Sequence, residues 1–166
     1  MRHPRLEAQA RLDTPLGPVT LAASAAGLAG LWFDGQRHHP GPLDLPLAPQ
    51  QPHLAQAAAE LSAYFRGEGS GFAVPLDAEG TDFQRAVWDA LRQLAAGSTT
   101  SYAEIARRVG RPSALRAVGA AIGRNPVSIV VPCHRVIGSA GALTGYAGGL
   151  DRKQALLALE RGGAAA

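Results

Sequence analysis

The only cysteine of this chain, Cys133, lies directly between Pro132 and His134. A cysteine thiolate is a strong nucleophile and a neighbouring imidazole can take up its proton, so the pair is suited to nucleophilic chemistry. The β-branched stretch 128–131 predicts a short strand, and the proline after it favours a turn or a short helix beginning at Cys133. The free N–H groups at such a helix start would favour the thiolate.

Two other interpretations stay open on these residues alone. Many lone cysteines are small buried core residues without a chemical role. A zinc site is a weaker alternative, because there is no second cysteine and the adjacent Cys133 and His134 lack the usual ligand spacing. A single cysteine cannot form an internal disulfide, which fits a protein of a reducing compartment.

Composition narrows the class of protein. With 166 residues, of which 46% are hydrophobic, the chain is long enough for one domain or for two small ones that share an interface. No apolar run approaches the roughly 20 residues that a membrane span needs, and no signal-peptide core follows the basic N-terminus. We therefore expect a cytoplasmic protein that does not bind membranes.

Charge is distributed unevenly along the chain. Residues 1–80 carry five arginines and eight acidic residues, whereas residues 81–166 carry eleven basic and five acidic residues. The second half is therefore the candidate for binding an anionic partner such as nucleic acid. Codon bias explains a preference for arginine over lysine, but it does not explain why the acidic residues concentrate in the first half.

The first half, residues 1–80, is predicted to form a small α/β domain. Short apolar runs separated by turns predict an antiparallel sheet within residues 6–33. Residues 34–52 are rich in proline, glycine and histidine, which is typical of a loop. Helical spacing follows over residues 53–66, and residues 72–76 predict one more strand.

The second half, residues 81–166, is predicted to be a mainly helical domain. Thr81 is a good N-cap for a helix that extends to about residue 95. Ser101 and Glu104 have the spacing of a capping box at the start of another helix. Asp151 is predicted to cap the last helix of the chain.

A helix-turn-helix is predicted within this second half. The helix that begins after Ser101 is followed by a glycine-containing turn and by an alanine-rich helix over residues 114–122. An ordinary helical hairpin in a core is the alternative. Arg116 and the small residues Ala117 and Gly119 favour close approach to a nucleic-acid groove instead.

The stretch Pro-Cys-His-Arg-Val at 132–136 strongly resembles the motif of the O6-alkylguanine-DNA alkyltransferase family. Asn125, Tyr102, Tyr146 and Glu160 follow the order and spacing of that family, so the resemblance covers essentially the whole chain. It implies an α/β (α+β) fold, in which a small N-terminal antiparallel-sheet domain of the ribonuclease-H-like type packs on a helical C-terminal domain with a helix-turn-helix.

The resemblance implies a DNA repair protein, a methylated-DNA–protein-cysteine methyltransferase that transfers an alkyl group to its own Cys133. By the same resemblance His134 takes the thiol proton through a bridging water and Glu160 orients the imidazole. Asn125 is the hinge residue that fixes the thiol, and Tyr102 hydrogen-bonds a ring nitrogen of guanine. The reaction is stoichiometric, because a thioether is a poor leaving group.

Further residues are carried over from the family as contacts of substrate and DNA. The substrate contacts implied are Val136, Tyr146, Ala147, Ser128 and Gly148. The DNA contacts implied are Arg116, as a finger that fills the gap left by an extruded base, together with Ser101, Ala117, Gly119, Arg135 and Ser139. Alanine at 147 keeps the backbone N–H that contacts O6, whereas serine at 128 replaces the proline of some members and leaves the range of alkyl groups open.

The implied partner is double-stranded DNA with O6-alkylguanine, bound by a monomer from the minor-groove side. No cofactor is implied, and we expect no metal because the first half of the chain has no cysteine. A lesion-recognition relative without chemistry is one alternative, but such relatives lack the motif cysteine. A helix-turn-helix transcription factor is another, and it would leave Asn125, His134 and Glu160 unexplained.

Overall fold

A three-stranded antiparallel sheet forms the start of the chain in the computed structural model, which describes residues 6–68, 71–138 and 141–162. The strands β1 (Leu6–Leu12), β2 (Val19–Ser24) and β3 (Leu28–Phe33) follow one another in the order β1-β2-β3. Every residue of β2 and β3 is buried. The sheet predicted for residues 6–33 is therefore confirmed.

Other segments cover the free edge of β3. The backbone N–H of Leu28 donates to the Pro75 carbonyl at 2.8 Å, and that of Leu31 donates to the Pro126 carbonyl at 2.9 Å. The strand predicted for residues 72–76 is wrong, since only an isolated bridge forms between Leu76 and Leu28. Pro75 has no N–H to donate to a ladder, so this segment cannot pair along its length.

Helix α1 (Pro52–Phe65) packs on the sheet, one residue away from its predicted bounds. Leu54 and Leu61, which have helical spacing, are both fully buried. The side chain of Gln51 accepts hydrogen bonds from the first free N–H groups of the helix. At the other end of the helix, the last turn of α1 points Tyr64 toward the C-terminal part of the chain.

The C-terminal part is helical, as predicted. Helix α2 (Asp82–Arg92) begins at a complete capping box formed by Thr81 and Gln84. The indole Nε1 of Trp88 donates to the Ala121 carbonyl at 2.8 Å and ties α2 to the helix-turn-helix. This arrangement confirms the predicted fold class of an antiparallel sheet packed on a helical part.

Helices α3 (Tyr102–Arg108) and α4 (Leu115–Gly123) form the helix-turn-helix. Gly110 in the connecting turn has φ 72°, a conformation that glycine adopts at little cost. Only half of the capping box predicted for α3 forms. The Ser101 hydroxyl accepts from the Glu104 N–H, but the Glu104 carboxylate pairs with the arginines of the last turn instead of returning to Ser101.

The stretch 128–131 is a buried turn, so the strand predicted there is wrong. Ile129 has φ 72°, which is rare for a β-branched residue, and the Val131 N–H donates back to the Val127 carbonyl at 3.0 Å. The β-branched residues reflect burial in the turn and not an extended backbone. A short 3₁₀ helix, Cys133–Arg135, follows as predicted from Pro132.

Two short strands and a last helix complete the described fold. Strand β4 (Thr100–Ser101) pairs in parallel with β5 (Val136–Ile137). The N-cap of helix α5 (Leu150–Glu160) is Gly149 and not the predicted cap Asp151, which lies in the first turn. There its carboxylate is favourably placed for the positive end of the helix dipole. No helix among the described residues is long and apolar enough to cross a membrane.

Candidate active site

Cys133 lies at the wall of a cleft of about 410 Å³ and is 6% exposed. Four of the predicted site residues line the same cleft, namely Tyr102, Gly119, Tyr146 and Ala147. The cleft is further lined by Ala120 and Gly145 and by five residues that were not predicted: Arg37, His38, Ile122, Gly123 and Arg124. The cleft therefore combines the helix-turn-helix with the loop before α5 and with a loop of the sheet domain.

Asn125 holds the nucleophile in place. Its amide nitrogen donates to the Val131 carbonyl at 2.8 Å and to Sγ of Cys133 at 3.2 Å. Its amide oxygen accepts from the Val127 N–H at 2.9 Å. One buried side chain thus fixes both ends of the turn and touches the thiol itself.

The thiol of Cys133 is neutral at rest, which contradicts the expectation of a favoured thiolate. Burial raises the pKa of Cys133, and this effect outweighs the hydrogen bond from Asn125 and the positive charge of Lys153. The 3₁₀ helix is only one turn long, and the N–H of Cys133 already donates to the Val131 carbonyl at 2.8 Å. A proton acceptor is therefore needed before the sulfur can attack.

His134, the sequence neighbour of Cys133, forms a buried pair with Glu160. Nε2 of His134 lies 2.7 Å from Oε2 of Glu160, and their side chains are 0% and 2% exposed. Burial lowers the pKa of His134 against the opposing effect of Glu160. Burial alone would raise the pKa of Glu160, but hydrogen bonds from His134, Arg135 and Tyr64 hold it below its usual range.

The position of the hydrogen on the neutral imidazole ring follows from these charges. A neutral ring beside an ionised carboxylate must carry its hydrogen on Nε2, because that nitrogen donates to Glu160. Nδ1 of His134 consequently holds a free lone pair. This nitrogen is buried and has no hydrogen-bond partner within the described part of the chain. It is ready to accept a proton.

Arg135 belongs to this buried network and not to the DNA surface for which it was predicted. Its Nε and NH2 donate to the two oxygens of Glu160, each at 2.8 Å, and its NH1 donates to the Leu94 carbonyl at 2.7 Å. The side chain is only 10% exposed. All three nitrogens are satisfied inside the protein, so the guanidinium is not free to contact a phosphate.

Tyr64 is a member of the site that sequence reasoning missed. Its hydroxyl donates to Oε2 of Glu160 at 2.7 Å across 96 positions of sequence. The one available signal was the carboxylate at the C-terminal end of a helix, where it opposes the helix dipole and needs donors to compensate. That signal predicts partners for Glu160 but does not say which ones.

Lys153 was also missed. It is fully buried on α5, and its Nζ donates to the carbonyls of Val136 and Thr144 at 2.6 Å each. It is the only lysine of the chain, in which all other Lys and Arg positions are arginine. This exception could have identified it as a residue with a specific role. Burial lowers the pKa of Lys153, while the nearby Cys133 opposes that shift.

The predicted substrate contacts fall into two groups. Tyr102 and Tyr146 line the cleft; the Tyr102 hydroxyl lies 3.1 Å from Oγ1 of Thr144. Ser128 is buried and Gly148 lies so close to the Tyr146 ring that a Cβ there would approach it to 2.8 Å. These two residues pack behind or beside the cleft, as does the buried Val136, which is not among its lining residues.

The predicted DNA contacts lie mostly on the helix-turn-helix. Arg116 and Ala117 are exposed on the first turn of α4, and Gly119 lines the cleft. Ser101 is exposed, with its hydroxyl oxygen capping α3. Ser139 lies outside the described residues. One face of α4 therefore continues into the cleft that contains Cys133.

Within residues 6–68, 71–138 and 141–162, no group of three or more His, Cys, Asp and Glu side chains is placed to hold a metal ion.

Known proteins are similar to this chain along nearly its whole length. Residues 82–162 match the 6-O-methylguanine DNA methyltransferase, DNA binding domain, and residues 9–78 match the 6-O-methylguanine DNA methyltransferase, ribonuclease-like domain. A methylated-DNA–protein-cysteine methyltransferase of Mycolicibacterium paratuberculosis is 51% identical over 150 residues, which are 90% of each chain. The chain belongs to the 6-O-methylguanine DNA methyltransferase family. The resemblance drawn from its motif is therefore confirmed.

Relatives from other organisms match over a similar share of the chain. A methylated-DNA–protein-cysteine methyltransferase of Methanosarcina barkeri is 47% identical over 90% of this chain and 94% of its own length. The crystal structure of Mycobacterium tuberculosis OGT in complex with DNA superposes with a TM-score of 0.86 at 47% identity and covers 96% of both chains. The family fold therefore extends over the sheet and the helical part alike.

Proposed function

We propose that this chain repairs DNA by transferring the alkyl group of O6-alkylguanine to Sγ of Cys133. The single observation that carries this proposal is the geometry around the sulfur. The thiol opens onto a cleft of about 410 Å³, is held by Asn125, and has a neutral buried imidazole as its sequence neighbour. That arrangement suits an activated thiol nucleophile.

The chemistry begins with a proton transfer. We propose that Nδ1 of His134 takes the proton of Cys133 through one bridging water, and that the charge of Glu160 stabilises the imidazolium. Sγ then attacks the alkyl carbon, so an S–C bond forms and the C–O6 bond breaks. The electron pair goes to guanine, which takes a proton from Tyr102, and Tyr102 regains a proton from solvent.

The reaction runs once per protein molecule. The product is a thioether, which is a poor leaving group, and the chain has no second cysteine that could remove the alkyl group. The protein is therefore consumed with each lesion that it repairs.

Four groups are proposed to recognise the base, three of them at the cleft and one, the Val136 carbonyl, beside it. The carbonyls of Cys133 and Val136 accept from the exocyclic amine of guanine, and the N–H of Ala147 donates to O6. The Val136 carbonyl already accepts from Lys153, which leaves its second lone pair for guanine. Tyr146 packs against the alkyl group, while Ser128 and Gly148 set the position of that ring from behind.

We propose that the protein binds DNA as a monomer. Its helix-turn-helix contacts the DNA from the minor-groove side. Arg116 fills the gap that the extruded nucleotide leaves, because a planar guanidinium can stack there and hydrogen-bond the orphaned base. Its exposure on the first turn of α4 supports this role. We further propose a domain boundary at residue 80 and a location in the cytoplasm.

The test is the intact mass of the protein after incubation with duplex DNA that contains O6-methylguanine. We expect a gain of one methyl group per molecule, which peptide mapping assigns to Cys133, and no gain in Cys133→Ser. An unchanged mass with intact DNA binding would instead favour a lesion-recognition protein. A methyl group on any other residue would overturn the assignment of the nucleophile.

A further inference from the structure

Tyr64 connects the sheet domain to the buried acid of the site. It lies in the last turn of α1, where its ring packs edge-to-face on Phe65 at 5.3 Å and against Phe72 at 5.6 Å. Its hydroxyl donates to Oε2 of Glu160 at 2.7 Å. The aromatic contacts fix the ring, so the hydroxyl is held on the carboxylate.

Oε2 of Glu160 is shared between three donors. Nε2 of His134 and the hydroxyl of Tyr64 both lie 2.7 Å from it, and NH2 of Arg135 lies at 2.8 Å. Each added donor draws electron density from the oxygen and weakens its bonds to the others. The hydrogen bond from Tyr64 therefore competes with the one from His134.

The orientation of Glu160 does not depend on Tyr64. Arg135 alone binds both carboxylate oxygens, a bidentate geometry that fixes the plane of the group. Burial raises the pKa of Tyr64, and the adjacent charge of Glu160 raises it further, so the hydroxyl remains a donor at every pH of interest. What the hydroxyl adds is a change in the electron density of the carboxylate.

We propose that Tyr64 lowers the basicity of His134 by partly neutralising the charge of Glu160. The inference rests on the proposed function, in which His134 takes the thiol proton. Tyr64 touches neither the sulfur nor the cleft, and it acts only through Glu160. The sheet domain thereby sets the strength of the base used in the helical domain.

The other charged groups that face His134 also shift its pKa. Glu160 on α5 raises its pKa, whereas the cations Arg135 and Lys153 lower it. The ring of Tyr146 packs edge-to-face at 6.5 Å. All of these groups stay in place when only the hydroxyl of Tyr64 is removed.

The variant that tests the proposal is Tyr64→Phe, because it keeps the aromatic packing and deletes one oxygen. We expect the rising limb of the pH–rate profile of single-turnover transfer to move to higher pH. On that limb the rate should fall by roughly two- to fivefold, with a smaller change on the plateau. Phe65→Leu is the matched control, since it disturbs the same packing without touching Glu160 and should leave the profile where it is.

A second measurement does not need activity. In protein labelled with ¹⁵N-histidine, the proton on Nε2 of His134 should move downfield in Tyr64→Phe, because its hydrogen bond to Glu160 strengthens. An unmoved Nε2 proton, or a profile that superimposes on wild type or shifts to lower pH, overturns the proposal. The same profile shift in Phe65→Leu overturns it as well. Wild-type protein that transfers no methyl group would refute the proposed function instead, and the Nε2 proton would still test Tyr64.

Discussion

The amide nitrogen of Asn125 donates a hydrogen bond to Sγ of Cys133 at 3.2 Å. The same nitrogen donates to the Val131 carbonyl, and the amide oxygen accepts from the Val127 N–H. The residue that closes the turn is thus also the residue that touches the nucleophile. Folding of this turn and activation of the thiol therefore depend on one side chain.

Asn125→Ala should damage both stability and chemistry. The buried N–H of Val127 would lose its partner, which costs about 1–3 kcal/mol, whereas the Val131 carbonyl would keep the hydrogen bond from the Cys133 N–H. The free energy of unfolding, measured in urea, should fall accordingly. The thiol should titrate at higher pH, and transfer should slow even under conditions where the variant is fully folded. A folded variant with wild-type transfer would remove Asn125 from the activation of Cys133.

Cys133→Ser should abolish transfer and leave DNA affinity within about twofold of wild type, because phosphate contacts supply most of the affinity. Single-turnover transfer and a salt titration of DNA binding measure the two quantities separately. Loss of both together would mean that the substitution disturbs the fold, which near-UV circular dichroism checks. Residual methyl transfer in this variant would contradict the role of the sulfur.

Glu160→Gln should slow transfer by roughly 100-fold, since it removes the charge that stabilises the imidazolium of His134. It should also lower the free energy of unfolding by about 3–5 kcal/mol, because Arg135 becomes a buried charge without its partner. Transfer rates are compared at a temperature where both proteins remain folded. A rate equal to wild type under those conditions would exclude Glu160 from the mechanism.

Arg116→Ala should slow repair of duplex DNA but leave the reaction with free O6-alkylguanine base nearly unchanged, because only duplex DNA has a gap to fill. The measurement is single-turnover transfer at saturating protein on both substrates. Arg111→Ala is the control, an exposed arginine in the turn between α3 and α4. Its loss should mainly weaken binding and reduce the salt slope. Equal slowing on both substrates would show that Arg116 is not the finger.

Stability should fall as the pH is lowered through the ordinary range of histidine. Burial lowers the pKa of His134 below 6.5, so in the window just below that value the unfolded chain binds a proton that the folded chain does not. Unfolding in urea at pH 7.5 and at pH 5.5, about one unit on either side of this value, measures the loss. The loss should be smaller in His134→Gln, whereas His38→Gln should keep most of it because His38 is exposed. Identical losses in wild type and His134→Gln would contradict a neutral buried His134.

Sequence reasoning predicted those parts of the fold and site that depend on local pattern. The sheet over residues 6–33 follows from turns and short apolar runs, and the 3₁₀ helix at Cys133 follows from Pro132. His134 and Asn125 lie within eight positions of the thiol, so a motif in the chain could mark them. Glu160 could be singled out from the sequence because a carboxylate at the C-terminal end of a helix opposes the helix dipole.

The missed features depend on tertiary contacts. Residues 128–131 carry a β-branched pattern that is shared by strands and buried turns, and the positive φ of Ile129 leaves no mark in the sequence. Arg135 looks like a surface cation until Glu160 is brought beside it. Tyr64 lies 96 positions before Glu160 in the sequence, where no local pattern refers to the acid that it contacts.

The burial of the Cys133 thiol has a consequence for the lifetime of the unused protein. A molecule that works once is lost if its sulfur is first oxidised or captured by an unrelated electrophile, and both side reactions need an exposed thiolate. At 6% exposure and neutral at rest, this sulfur offers neither. The same burial that makes a proton acceptor necessary for repair therefore protects the Cys133 thiol. The unused protein keeps its one reactive thiol until it meets damaged DNA.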